Sequence, residues 1–302
     1  MLSQSRSVRR VSVRFGVVGT GYWADEIHAA GIVAHPATEL AAVWGRDPAK
    51  ARALGERRGA EAAASFDELV ERVDAVAFAV PPDVQAELAE GVARAGRHLL
   101  LEKPLATSVA AADRVVAAVE EGGGAALVFF TGRFAPPTAA WFSDVVPSRS
   151  WDGGQATWLA ALDVPGSPFA DSPWRWEKGA LWDVGPHALA SLLPALGAVE
   201  EVVAVRGRRD TVQLALRHAG GGSSVATLSL TAPPAAALVE TRLWGPDGIA
   251  VMPDRGDPAV AYAVALGELV RLVETGEREH PLDVRFGREV VRILASAEAQ
   301  LA

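Results

Sequence analysis

An apolar strand that runs straight into a glycine loop, and out of it into a helix, admits few folds. Here Phe15-Gly16-Val17-Val18 is followed at once by Gly19-Thr20-Gly21-Tyr22-Trp23-Ala24. The pattern Gly-x-Gly-x-x-Gly/Ala has a mechanical reading. The first glycine permits a tight turn, the second lets a ligand approach the backbone, and the third position stays small so that the helix can lie on the strand. These are Gly19, Gly21 and Ala24. The helix N-terminus beyond them offers free N–H groups and partial positive charge, a setting for a dinucleotide pyrophosphate. Asp25 and Glu26 fall in the first helical turn, where they would repel phosphate unless they point away.

The rest of residues 11–125 repeats the alternation. Strands are read at 11–18, 39–44, 75–80 and 98–101. Helices are read at 25–34, 48–59 (opened by Asp47 and Pro48), 65–72 (with Ser65 and Glu68 spaced as a capping box), 84–95 and 107–121. Such alternation implies a parallel sheet with helices on both faces. One more strand is read at 125–130, and then the pattern changes. Residues 133–179 are rich in Pro, Trp, Asp and Ser and read as irregular around a strand at 156–162, before a helix at 180–196. Strands at 201–206, 211–217, 224–231 and 239–244 are separated by turns such as Gly220-Gly221-Gly222 and Pro246-Asp247-Gly248, the grammar of antiparallel pairs. Helices at 260–274 and 284–301 close the chain. The fold class is therefore α/β: an N-terminal Rossmann, doubly wound parallel sheet over 11–125, and a C-terminal α+β domain with a largely antiparallel open sheet over 126–302.

A length of 302 residues, half of them hydrophobic, supports two cores. The net charge of −8 argues against a nucleic-acid face, which would be basic. No cysteine is present, which excludes disulfides, thiolate metal sites and cysteine nucleophiles, and fits a cytoplasmic location. No apolar run reaches the roughly 18 residues that span a bilayer, so no membrane role is expected. The pair Arg9-Arg10 hints at export, but the apolar run behind it leads directly into the glycine loop, so residues 1–10 read as a disordered basic tail. With six histidines and no His-x-x-x-His pair, no metal site is expected.

Three further segments carry chemistry. The second strand ends Val43-Trp44-Gly45-Arg46-Asp47, with glycine where an acid would bond the ribose 2′-hydroxyl of NAD. Arg46 beside it favours the 2′-phosphate, so NADP is preferred over NAD. Glu102-Lys103-Pro104 ends the strand after Leu99-Leu100-Leu101, which puts Lys103 at the ligand crevice as a positive neighbour or proton relay. In Leu181-Trp182-Asp183-Val184-Gly185-Pro186-His187, Asp183 and His187 are four apart. A helix would put them on one face, the carboxylate orienting a histidine acid–base, although Pro186 makes that helix imperfect. Tryptophans 141, 151, 158, 174, 176 and 182 cluster in the second domain and could stack on a sugar ring or fill the core.

Taken together these segments resemble the Gfo/Idh/MocA family, that of glucose–fructose oxidoreductase and inositol dehydrogenase. The resemblance rests on the glycine loop, Ala79-Val80-Pro81-Pro82, Glu102-Lys103-Pro104-Leu105-Ala106, Pro173-Trp174-Arg175-Trp176, Asp183-Val184-Gly185-Pro186-His187 and His280-Pro281-Leu282-Asp283-Val284. It implies an NAD(P)-dependent dehydrogenase or reductase that moves a hydride between nicotinamide and a sugar, cyclitol or related alcohol or ketone. Gly19, Thr20, Gly21, Tyr22, Trp23, Arg46 and Pro81 would line the cofactor, and Glu102 would touch its ribose. Lys103 would meet both ribose and substrate, Asp183 and His187 would bind substrate and exchange its proton, and Trp174 and Arg175 would approach the mouth. The partner implied is a sugar-like small molecule, with assembly into a homodimer or tetramer through the second domain. Pro82, Gln85 and Ala190 depart from the family pattern, as does a glycine-rich run reduced to Gly179. Two other readings stay open: a non-catalytic dinucleotide-binding regulator on the same fold, and a reductase of a larger conjugated ligand.

Overall fold

The computed structural model describes residues 12–167, 169 and 172–301. The expected basic tail at 1–10 and the first residue of the expected first strand lie outside the described residues. The first sheet has six parallel strands: β1 (Val13–Val18), β2 (Thr38–Trp44), β3 (Glu61–Ala62), β4 (Ala75–Phe78), β5 (His98–Glu102) and β6 (Ala126–Phe129), in the order β3-β2-β1-β4-β5-β6. β4 and β6 are buried along their whole length, as expected of strands covered by helices on both faces. The order reverses beside β1, so the loop after β1 opens into the crevice between β1 and β4. The sheet extends one strand past residue 125: β6 pairs with β5, Leu127 opposite Leu100, so this strand stays with the first sheet.

Local chemistry sets the helix ends. Asp47 accepts from the Ala49 and Lys50 N–H groups to start Pro48–Arg58, and Ser65 accepts from Glu68 N to start Phe66–Arg72. The helix after the glycine loop begins with a π-helical stretch, Ala24–Ala29, before Ala30–Ala34.

The second sheet is formed by β7 (Gly153–Leu159), β8 (Val199–Arg206), β9 (Val212–His218), β10 (Ser223–Ser229), β11 (Leu238–Gly245) and β12 (Gly248–Val251), in the order β12-β11-β7-β10-β9-β8. Every pair is antiparallel except β7 with β10. Its two faces differ. The row Val202, Leu216, Ser224, Gly154, Leu243 points inward toward the helices Gly185–Leu196 and Val284–Leu301. The neighbouring row Val203, Ala215, Val225, Gln155, Arg242, Val251 crosses all six strands and is exposed at every position. Two connections tie the halves together. Helix Pro258–Thr275 returns to pack on the first half, and Val128 N donates to Leu282 O. Among the described residues no helix is long and apolar enough to cross a membrane.

Candidate active site

Gly19 has φ +127°, and a Cβ there would stand 2.4 Å from the Ala79 carbonyl oxygen, so only glycine turns the chain at this point. Nothing lies within 4 Å of the space a Cβ would take on Gly21, which leaves its backbone open to a ligand. Behind the loop, Thr20 and Gly45 touch: a Cβ on Gly45 would meet the Thr20 methyl at 2.6 Å. Arg46 is exposed at the end of β2, and Pro81 precedes the helix Pro82–Arg94. The first-turn acids do not face the loop as free charges. Asp25 is paired with Arg57 and Arg58, and Glu26 with Arg58. Burial works to raise the Asp25 carboxyl, but hydrogen bonds from Arg58 and Arg57 hold it below its ordinary value. The loop therefore fits an anionic dinucleotide in shape and in charge.

Trp23 and His28, five positions apart on the π-helical turn, both reach Glu102. Trp23 Nε1 donates to Glu102 Oε1 at 2.6 Å, and His28 Nε2 lies 3.0 Å from the same oxygen. The other ring nitrogen of His28 meets the hydroxyl of Tyr262 at 3.1 Å. π-Helical turns are rare and concentrate at functional sites, because the inserted residue re-aims side chains. Gln85 is fully buried and holds the backbone of the next segment. Its Oε1 accepts from Glu102 N at 2.7 Å, while its Nε2 donates to the carbonyls of Glu102, Pro104 and Leu105.

Lys103 thus leaves β5 from a fixed backbone. Its Nζ donates to Asp183 Oδ1 and to the Asp183 carbonyl, each at 2.8 Å. Asp183 is placed by helix Pro173–Asp183, which breaks at Gly179, φ +67°, a left-handed conformation that favours glycine. It is anchored beyond the break by the fully buried Trp182, whose Nε1 donates to Glu298 at 2.9 Å. Arg175 takes the second carboxylate oxygen, Nε to Oδ2 at 2.9 Å. Arg175 also lies over Phe169 and Trp174, and Phe169 meets the rings of Tyr22 and Trp23, so this segment leans on the glycine loop.

The spacing argument for Asp183 and His187 does not describe what forms. One helix ends at Asp183 and a second starts at Gly185, with Val184 at φ −105° between them. The carboxylate is shared by Lys103 and Arg175, and His187 is held differently. Its ring stacks on Trp158, centroids 4.5 Å apart and 12° from parallel. Burial, followed by the charges of Lys103, Arg255 and Arg175, keeps its imidazole well below its ordinary value, hence neutral at neutral pH. Trp158, noted in sequence only as one of several tryptophans, proves to be its platform. Arg133 and Arg255 were missed: both line the recess beside His187, together with Phe142 and Met252.

A parallel sheet whose strand order reverses at a glycine loop, with an Asp and a His from two consecutive helices brought near a strand-end lysine, defines a protein of the dinucleotide-binding type. Residues 13–130 match the model of the oxidoreductase family with an NAD-binding Rossmann fold. A dTDP-3,4-didehydro-2,6-dideoxy-alpha-D-glucose 3-reductase of Streptomyces violaceoruber is 34% identical over 210 residues, 67% of this chain and 60% of that protein. A reductase of the same name from Saccharopolyspora spinosa is 30% identical over 230 residues, 70% of this chain and 67% of that protein. Among solved structures, GenD2 from gentamicin A biosynthesis, in complex with NAD, superposes with a TM-score of 0.84 at 21% identity and covers 99% of this chain and 97% of its own. The chain belongs to the Gfo/Idh/MocA oxidoreductase family. It spans less than two thirds of the length of the first of these relatives.

Proposed function

We propose that this protein is an NAD(P)-dependent oxidoreductase of a sugar, cyclitol or related alcohol or ketone, with NADP preferred. The observation that carries the reading is the meeting of Lys103, from the end of β5, with Asp183, which lies 80 positions on in the chain, beside the crevice. When bound, the nicotinamide supplies or accepts the hydride. The chain's own residues handle the oxygen and its proton. Two N–H groups of Lys103 are taken by Asp183, and the ammonium has three, so one remains for a substrate oxygen whose negative charge it stabilises. His187, held neutral, accepts the hydroxyl proton in the oxidative direction. Asp183 positions Lys103 and Arg175 rather than His187. Trp174 and Arg175 would stand at the mouth, and Glu102, fixed by Trp23 and His28, would meet the cofactor ribose. The contact of Gly45 with Thr20 and the exposed Arg46 support the NADP preference: an acid at position 45 has no room, and a cation is at hand for the 2′-phosphate.

The test is turnover of NADP and NAD across a panel of sugars and cyclitols. Lys103→Met and His187→Ala should each lower kcat by roughly 10²–10⁴-fold while cofactor affinity stays within a few-fold. The double variant should be little worse than the poorer single one, since groups acting as a unit are non-additive. Near-parental turnover in either single variant would sink the assignment and favour a binding protein without catalysis.

The assembly is a homodimer or tetramer, formed through the exposed face of the second sheet by a second copy of this chain. Val203, Val205, Val225, Trp244, Ile249 and Val251 are all exposed on that face, six large apolar side chains set among Gln155 and Arg242 on a sheet whose other side is packed. Light scattering should give at least twice the 31.6 kDa chain mass, and a monomer at micromolar concentration would count against it.

A further inference from the structure

The recess beside His187 holds two guanidinium groups that bond no carboxylate among the described residues. Arg255, from the loop after β12, lies 4.4 Å over the Trp158 ring, the same ring on which His187 stacks. It makes no hydrogen bond or ion pair with any described residue. Its neighbour Asp254 reaches it by charge alone and takes the Gly256 N–H at 2.6 Å instead. Arg133 lies 4.0 Å over Phe142 and makes one hydrogen bond, from Nη1 to the Ala190 carbonyl at 3.1 Å. Its Nε is buried with no partner. Burial lowers both groups, Arg133 to about 10, which leaves each charged at neutral pH. A guanidinium carries five donors, so nearly all the donors of this pair are unused.

Partly buried cations are normally paired, because desolvation without a partner is costly. Here the nearby carboxylate, Asp183, is already divided between Lys103 and Arg175. Lys103 and Arg175 thus use up Asp183, and of the two guanidiniums beside His187 only Arg255 feels a carboxylate, the charge of Asp254, which it does not bond, in a protein of net charge −8. Aromatic platforms hold both guanidiniums with their edges free, the arrangement suited to bidentate capture of a carboxylate or phosphate. A neutral polyol would leave these charges uncompensated. We propose that the substrate carries an anionic group, a carboxylate or a phosphate, and that Arg255 and Arg133 hold it beside His187. This rests on the reading of the crevice as the substrate site.

The experiment is calorimetric titration of the NADP-loaded full-length protein with D-glucose, D-glucuronate, D-glucose 6-phosphate and UDP-glucose. At least one of the anionic ligands should bind roughly 10-fold or more tightly than glucose, the gain from a charge-assisted contact. Arg255→Gln should remove that advantage. Arg255→Lys, which keeps the charge and loses the planar fork, should retain part of it. Preference for the glucuronate assigns a carboxylate, for the 6-phosphate a phosphomonoester, and for UDP-glucose a diphosphate. Unchanged NADP affinity and thermal midpoint in each variant show that the fold is intact. Anionic ligands that bind no better than glucose, or a preference that survives both Arg255→Gln and Arg133→Gln, overturn the inference. Redox turnover is read separately on the same ligands. Arginine-dependent anion binding without turnover leaves this inference standing while the oxidoreductase reading falls, and turnover of neutral sugars indifferent to Arg255 does the reverse.

Discussion

Replacing Asp183 with Asn removes a charge from between two cations and keeps the side-chain volume. The Asp183 side chain is 4% exposed, Lys103 11% and Arg175 20%, so all three charges are largely withdrawn from water. Removing one partner of a buried ion pair costs about 3–5 kcal/mol, because the other charge is left uncompensated. Water still reaches Arg175, which puts the value near the lower end, about 3 kcal/mol. At roughly 2–4 °C per kcal/mol for a chain of this size, the thermal midpoint should fall by roughly 6–12 °C at neutral pH. The three members should not be equivalent. Lys103→Met or Arg175→Met leaves Asp183 one cation, whereas Asp183→Asn leaves two cations nothing, so the aspartate variant should be the least stable. The pH dependence has a definite sign. Burial pushes the Asp183 carboxyl up, but the charges and hydrogen bonds of Lys103 and Arg175 outweigh it and hold the group below its ordinary 3.8. A depressed folded value gives stability that is complete above the unfolded value and is lost as pH falls through the folded one. The gap between parent and Asp183→Asn should thus be constant from about pH 8 to 5 and close below about pH 4. Calorimetry of the four proteins across this range decides it. A midpoint within about 2 °C of the parent, or a larger loss for Lys103→Met than for Asp183→Asn, refutes the reasoning.

Arg46→Ala should weaken NADP by roughly 10–100-fold and leave NAD nearly unchanged, as measured by calorimetric titration. Gly45→Asp should gain little for NAD on its own, because its Cβ meets the Thr20 methyl, while adding Thr20→Ser should release the gain. His187, depressed below its ordinary value, should keep the oxidative kcat/KM flat as pH falls from about 8 to 6.5; an inflection at or above 6.5 would contradict its burial among cations. Tyr262→Phe should cost about 1–3 kcal/mol in denaturant unfolding, because it leaves a buried His28 nitrogen without its partner.

Sequence reading reaches furthest where a local rule and a long-range demand coincide. The loop from Gly19 to Ala24 and the lysine after β5 were legible because strand, turn and helix follow one another within a few residues. β3 and β12, two and four residues long, carry too little periodicity to be seen. The pairing of Asp183 was misread because i, i+4 spacing assumes an unbroken helix, and the break before Gly185-Pro186 turns the two side chains to different partners. Gln85, a departure from the family pattern, gave no sign that its amide would hold the backbone of Glu102 and Lys103. Arg255 sits in Pro253-Asp254-Arg255-Gly256-Asp257-Pro258, a segment whose composition reads as a solvated turn. Only the Trp158 platform, more than 90 positions earlier, reveals that the guanidinium folds inward.

Glu102 and Lys103 show how the two halves are held at the reactive point. Glu102 is tied through His28 to Tyr262, on a helix that arrives after the second sheet is complete. Lys103 is tied to Asp183, on the segment that roofs the crevice. Between them, Gln85 fixes the backbone from below. Consecutive residues of one strand end therefore fasten two separate returns of the chain, one through a hydrogen-bond relay and one through a buried ion pair. A hinge between the sheets would have to break at least one of them. Breaking the His28 link leaves Glu102 its hydrogen bond from Trp23, while the ion pair leaves uncompensated charge when it opens, so opening should start on the Glu102 side. That asymmetry keeps Lys103 and Asp183 in register whether or not the crevice is filled, which is the condition for a proton-handling group to act without reorganising at each turnover.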